Sequence, residues 1–146
     1  NSESFDDLDK NNPDPVIGYL DIHSTVKFDN RNWFTGQVRT LDGLQASFVS
    51  GAHNNKGLNI LDYLALLWGA DEEFTVQFTV TSDYTTQVMS DKVTTKIHVD
   101  AGSLTTEKIS PQKTIYVKYP GTYTVVATLF DEHGNSIGQE KTLVVV

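Results

Sequence analysis

The chain has 146 residues, no cysteine, and 19 Asp and Glu against 11 Lys and Arg, for a formal net charge of −8. These values exclude a disulfide framework and any Cys-ligated zinc or iron–sulfur centre. They also argue against a partner such as nucleic acid or an anionic membrane, because unpaired carboxylates repel phosphate instead of releasing its counterions. With 38% apolar and 21% charged residues the chain has the composition of a folded protein. Its longest apolar run, Leu64 to Trp68, falls far short of the ~20 residues a membrane helix needs. The first residue is Asn1, not an initiator Met, which predicts a mature product or an excised piece of a longer chain.

Residues 1–15 are polar, contain two prolines, and carry five carboxylates against Lys10, half of the net charge. This composition predicts an acidic, flexible arm or linker, with ordered structure starting near Val16. Within it, Asp7, Asp9 and Asn11 stand at spacing two, so their oxygens could converge on Ca²⁺, a hard cation that takes six to eight oxygen ligands. The segment resembles the acidic linkers between cadherin-type domains and the opening of a calcium loop. It departs from the second in having Asn12 where a loop glycine belongs, and from the first in Lys10 where an Asp is expected. A solvated acidic arm is the competing reading.

Beyond the arm, 17 Thr and 15 Val favour an all-β protein, since β-branched side chains suit a pleated, half-buried surface. Asp29, Asn30, Arg31, Asn32, Trp33 and Phe34 form the best small-ligand candidate. An exposed indole offers a flat face to a sugar ring, and the Asp, Asn and Arg groups could fix its hydroxyls. The alternative places Trp33 and Phe34 in the core and the polar residues in a turn. Asp42-Gly43, between alternating runs at 37–41 and 44–49, predicts a hairpin turn. Residues 57–69 hold Leu58, Leu61, Tyr63, Leu64, Leu67 and Trp68 at spacings of three and four, which predicts one short helix over about 58–68 ended by Gly69. Asp71-Glu72-Glu73 reads as a solvated loop edge. Phe74, Val76, Phe78 and Val80 alternate with polar residues, and Tyr123, Val125, Ala127 and Leu129 repeat the two-residue spacing, with Leu143 and Val145 expected to complete the buried pattern. Ile97, Val99, Ile115 and Val117 supply the strands between.

The run from Lys113 to Asn135, with Tyr-Pro-Gly-Thr-Tyr at 119–123, a Thr/Val strand, Asp131-Glu132-His133-Gly134-Asn135 and a final Val-rich strand, resembles the closing strands of bacterial PKD-like and related immunoglobulin-like domains. The resemblance covers about residues 74–146 and leaves the preceding half unmatched. It implies a corner eased by Gly121, a Tyr123 hydroxyl tied to backbone, and a secreted or cell-surface setting. It also implies a role in adhesion, as a structural spacer, or in carbohydrate binding.

Catalytic patterns are sparse. His23, His53, His98 and His133 are scattered, and neither a His-Glu-x-x-His pair nor a Gly-x-Ser-x-Gly elbow occurs. Ser110-Pro111-Gln112-Lys113 has the Ser-x-x-Lys spacing but no helix to bring its ends together. The sequence therefore predicts a non-catalytic, immunoglobulin-like or PKD-like β-sandwich over 16–146, with 16–71 and 72–146 as an alternative two-domain division. Its partner is a protein or glycan at a surface, Asp29 to Trp33 forms the alternative carbohydrate site, and the chain does not insert into a membrane.

Overall fold

The computed structural model describes residues 2–3, 15–29, 38–51, 70–99 and 106–146. Nine strands follow in chain order: β1 (Ser2–Glu3), β2 (Gly18–Asp29), β3 (Val38–Ser50), β4 (Ala70–Ser82), β5 (Thr85–Val99), β6 (Thr106–Ile109), β7 (Gln112–Val117), β8 (Thr122–Phe130) and β9 (Ser136–Val145). They form two sheets, one ordered β1-β5-β4-β8-β9 and the other β3-β2-β6, with β7 also paired to β2. All neighbours are antiparallel except β1, which adds in parallel to β5. The described residues are therefore all-β, in two sheets packed face to face as a β-sandwich. The helix expected over 58–68, and Trp68 with it, lies outside the described residues.

The pleat sends alternate side chains to opposite faces, and the sequence uses this strictly. Leu20, Ile22, Val26 and Phe28 of β2 are fully buried, as are Phe74, Val76, Phe78 and Val80 of β4 and Val125, Ala127 and Leu129 of β8. Ile115 and Val117 of β7 and Met89 of β5 join them in one core cluster. Each fully buried side chain of this size contributes about 1.5–3 kcal/mol, and Phe28 meets Phe74 edge to face, ring centroids 5.4 Å apart, across the two sheets.

Four expectations need correction. Asp42-Gly43 is not a hairpin turn, because β3 runs through it. Ser24 pairs Leu44 and Val26 pairs Leu41, so the single residue Thr25 faces both Asp42 and Gly43, which makes a β-bulge. The bulge shifts the alternation by one, so that Leu41 and Leu44, three apart in sequence, both pack against the core. At the C-terminus the inward residue is Val144, while Leu143 and Val145 are exposed, because β9 registers Tyr123 with Val144 and Thr124 with Leu143. Asp71, Glu72 and Glu73 belong to β4 instead of a loop edge, paired with His98, Ile97 and Lys96. Ser2 and Glu3, expected in a flexible arm, pair with Val88 and Met89.

The two ends of the sandwich differ. At one, Gly18 pairs Val117 and Ser50, Thr122 pairs Val145, and Ser82 pairs both Thr85 and Tyr123. The chain crosses between sheets here through residues 118–121. Tyr123 donates its hydroxyl to the Tyr119 carbonyl at 2.6 Å, the tyrosine corner expected from the sequence. Tyr84 packs on Tyr119 and Tyr123 at centroid distances of 5.1 and 5.8 Å. Asp83 accepts the Thr122 amide at 3.1 Å, and Gly121, with φ +154°, leaves the space in which that carboxylate sits: a Cβ there would meet Asp83 Oδ1.

Burial, and then the neighbouring Tyr84 and Asp83, push the Tyr123 hydroxyl well above its ordinary pKa of 10.0. A raised folded-state pKa contributes stability that is intact below about pH 10 and declines as the unfolded chain ionises above it. Tyr123→Phe should cost about 1 kcal/mol at neutral pH through the lost hydrogen bond. It should also flatten the fall in melting temperature above about pH 10, as read by circular dichroism melts from pH 7 to 11.

Candidate functional site

The opposite end gathers the connections between strands. Asp29 pairs Val38 and Thr106, Ala70 pairs Val99, and Phe130 pairs Ser136, so residues 30–37, 100–105 and 131–135 are all bracketed by strand ends at this loop pole. β3 ends at the tyrosine pole and β4 starts at the loop pole, so residues 52–69 connect one pole to the other.

Arg39 organises the loop pole. The bulge at Asp42-Gly43 sets its parity, placing it opposite Phe28 on the inward face of β3. Its side chain is only 5% exposed. Nη1 donates to the Glu73 carbonyl at 2.8 Å, Nη2 lies 2.9 Å from Glu132 Oε2, and the guanidinium sits 4.7 Å from the centre of the Phe74 ring. One cation thus joins three segments: β3, the start of β4 and the β8–β9 hairpin. A planar guanidinium with five donors suits this better than a lysine, because it stacks and bonds at the same time.

The hairpin tip is held by a carboxylate. Asp131 Oδ1 accepts the amides of His133 at 2.9 Å and Asn135 at 2.8 Å, the Asp131 amide donates to the Asn135 carbonyl at 2.9 Å, and Gly134 donates to the Asp131 carbonyl at 3.1 Å. Gly134 takes φ +82°, a conformation that a residue with a Cβ adopts only at a cost. The Asn135 amide first, helped by that of His133, holds the Asp131 carboxyl below its ordinary pKa of 3.8. Glu132 and His133 stand out from this tip with side chains 61% and 76% exposed, Nε2 of His133 lying 3.8 Å from Glu132 Oε1. The pole therefore presents a carboxylate and an imidazole on a backbone tied down by its own hydrogen bonds.

Of the residues singled out in the sequence, Asp29 closes β2 at this pole and is half-buried. Asn30, Arg31, Asn32 and Trp33 lie outside the described residues, as do Asp7, Asp9 and Asn11. Among the described residues no three His, Asp or Glu side chains come together as a metal group, and no helix is long and apolar enough to cross a membrane. The sequence reading missed Arg39 and Glu132. Neither has a local signature: Arg39 points inward only because of the bulge four residues on, and Glu132 meets it only when the two sheets stack.

The outer face of the five-stranded sheet carries cross-strand hydrogen bonds between its polar side chains, beside the exposed Leu143 and Val145. Thr75 and Thr94 share a hydrogen bond of 3.1 Å, Gln77 donates to Ser90, and Gln139 donates to Thr128 at 3.1 Å. No family model matches the chain, and neither a curated protein nor a solved structure matches it.

Arg39→Ala should cost about 3 kcal/mol by removing a bonded, ring-stacked cation. Glu132→Gln should cost less than about 1 kcal/mol, because its carboxylate is exposed and the Glu73 carbonyl bond survives. Urea melts of the two variants check the ordering. For Asp131, a lowered folded-state pKa contributes stability that is present above pH 4 or so and is lost as pH falls through the folded value. Asp131→Ala should therefore weaken the dependence of melting temperature on pH in the acid range, measured by thermal melts from pH 2.5 to 6.

Proposed function

We propose that this chain is a non-catalytic, immunoglobulin-like or PKD-like module, secreted or held at a cell surface, that adheres to a protein or glycan through its loop pole. The observation that carries the reading is the hairpin tip at the loop pole, whose backbone is tied to Asp131 while Glu132 and His133 stand exposed. A surface ordered before contact loses little entropy on binding. Ile17 donates to the Val117 carbonyl, and Val146 and Gly121 exchange both backbone hydrogen bonds, so β2 is entered and β9 is left at the tyrosine pole, opposite that tip. The alternative reading, a sugar-stacking Trp33, belongs to the sequence that joins β2 to β3.

The lack of cysteine allows a clean orientation test. Beads are coupled through a single Cys appended after Val146, or through His133→Cys, and exposed to surfaces coated with collagen, fibrinogen or mucin. Adhesion to at least one surface is expected from the first coupling and a large loss from the second. Trp33→Ala in the first format separates a stacking contribution from the hairpin. Equal adhesion in both orientations, or none in either, overturns the reading.

A further inference from the structure

The outer face of the second sheet carries an arrangement unrelated to the loop pole. In β2 the inward residues Leu20 and Ile22 are buried, so Tyr19, Asp21 and His23 face outward. In β7 the inward residues are Ile115 and Val117, so Tyr116, Thr114 and Gln112 face outward. The register sets Tyr19 opposite Tyr116, Asp21 opposite Thr114 and His23 opposite Gln112. Side chains directly opposite on neighbouring strands have Cβ atoms about 4.5–5.5 Å apart, so the two tyrosines form one aromatic row across the sheet. Both are half-buried, and neither belongs to the core cluster or to the apolar residues packed against it. On the other edge of β2, Val49 pairs Tyr19 and is 36% exposed, which extends the row over a third strand.

Two residues along the strands, about 7 Å away, is a carboxylate fixed from both sides. His23 Nε2 lies 3.0 Å from Asp21 Oδ2, and Gln112 donates to Asp21 Oδ1 at 2.7 Å. Each carboxylate oxygen has two acceptor positions, so these contacts orient the group and leave it able to accept further donors. Its side chain is 27% exposed and that of His23 38%, so the cluster faces solvent.

An aromatic row beside an oriented carboxylate and amide matches a pyranose, which has one apolar C–H face and a rim of hydroxyls that donate and accept. The Asp21 carboxylate disfavours an anionic sugar, which favours a neutral one. We propose that this face is a glycan subsite, in which Tyr19 and Tyr116 pack against a neutral pyranose and Asp21 accepts its hydroxyls. The site is independent of the loop pole and does not rest on the adhesion reading.

The test is calorimetric titration of the full chain with a panel of neutral hexasaccharides: β-1,4-glucan, β-1,3-glucan, xylan, mannan and chitin fragments. Saturable binding to at least one is expected. Tyr19→Ala and Tyr116→Ala should each weaken it about tenfold, and Asp21→Asn about tenfold. Tyr116→Phe should keep the affinity within about twofold, because the stacking ring remains. Circular dichroism melts of each variant establish that it is folded, and Tyr116→Phe keeps the test decisive if an alanine variant unfolds. Thr94→Ala, on the outer face of the other sheet, should leave the binding unchanged. Absence of binding across the panel overturns the proposal, as does binding that survives both tyrosine-to-alanine changes. Binding lost only with Trp33→Ala assigns the sugar to that residue and also overturns it.

Discussion

The structure depends on one constraint, the two-residue period of the pleat. β2, β4 and β8 each bury a row of apolar side chains on one face, and those faces close on each other to make the core. A slip of one residue in any of them would turn a whole row outward. Long strands make this strict, since β2 has 12 residues and β4 has 13, and each further residue in register raises the cost of the alternative. With the faces assigned, the poles follow, because strands of this length must turn at two separated ends.

One place where the period is broken is used to build something. Both edges of β2 are irregular near Thr25: the Asp42-Gly43 bulge lies on one side, and on the other the strand pairing passes from β6 to β7 across Ser110-Pro111, with the Ser24 amide donating to the Pro111 carbonyl at 3.0 Å. On the N-terminal side of the bulge, β3 turns Arg39 inward, where it joins the two sheets over Phe74. A second charged tie, Lys113 to Asp91 at 3.8 Å, also links the sheets, from positions opposite Ile22 and Phe78. Both pairs keep some solvent contact, which limits the desolvation cost that makes fully buried ion pairs poor stabilisers.

These features divide the surface into regions with different uses. The tyrosine pole is a packed corner of rings and a clasped glycine, suited to holding geometry. The loop pole carries polar groups on a tied hairpin. Of the two broad outer faces, the five-stranded one spends its hydroxyls and amides on cross-strand hydrogen bonds, whereas the other sets an aromatic row beside an oriented carboxylate. Edge exposure is also controlled: beyond the short pairing with β1, the outer edge of β5 carries Lys92 and Lys96, both exposed, and charged edge residues discourage further strands from adding.

The sequence by itself determined whatever depends on near neighbours along the chain. The alternation at Phe74 to Val80 and at Tyr123 to Leu129 is enough to assign strands and their buried faces, and Tyr119 to Tyr123 is enough to set the corner, because its hydrogen bond spans four residues. Asp131 to Asn135 likewise closes a turn on itself. Tertiary structure decided the rest. Asp42-Gly43 has the same local chemistry in a hairpin turn as in a bulge, and only pairing with Ser24 and Val26 selects the bulge. Three consecutive valines at 144–146 fit either parity, and only the register against Tyr123 turns Val144 inward. The inward Arg39, its Glu132 partner, and the Tyr19, Asp21, Tyr116 and Gln112 face come from residues about 90 positions apart. No periodicity along the chain encodes such a meeting, because it exists only once two sheets have paired and stacked.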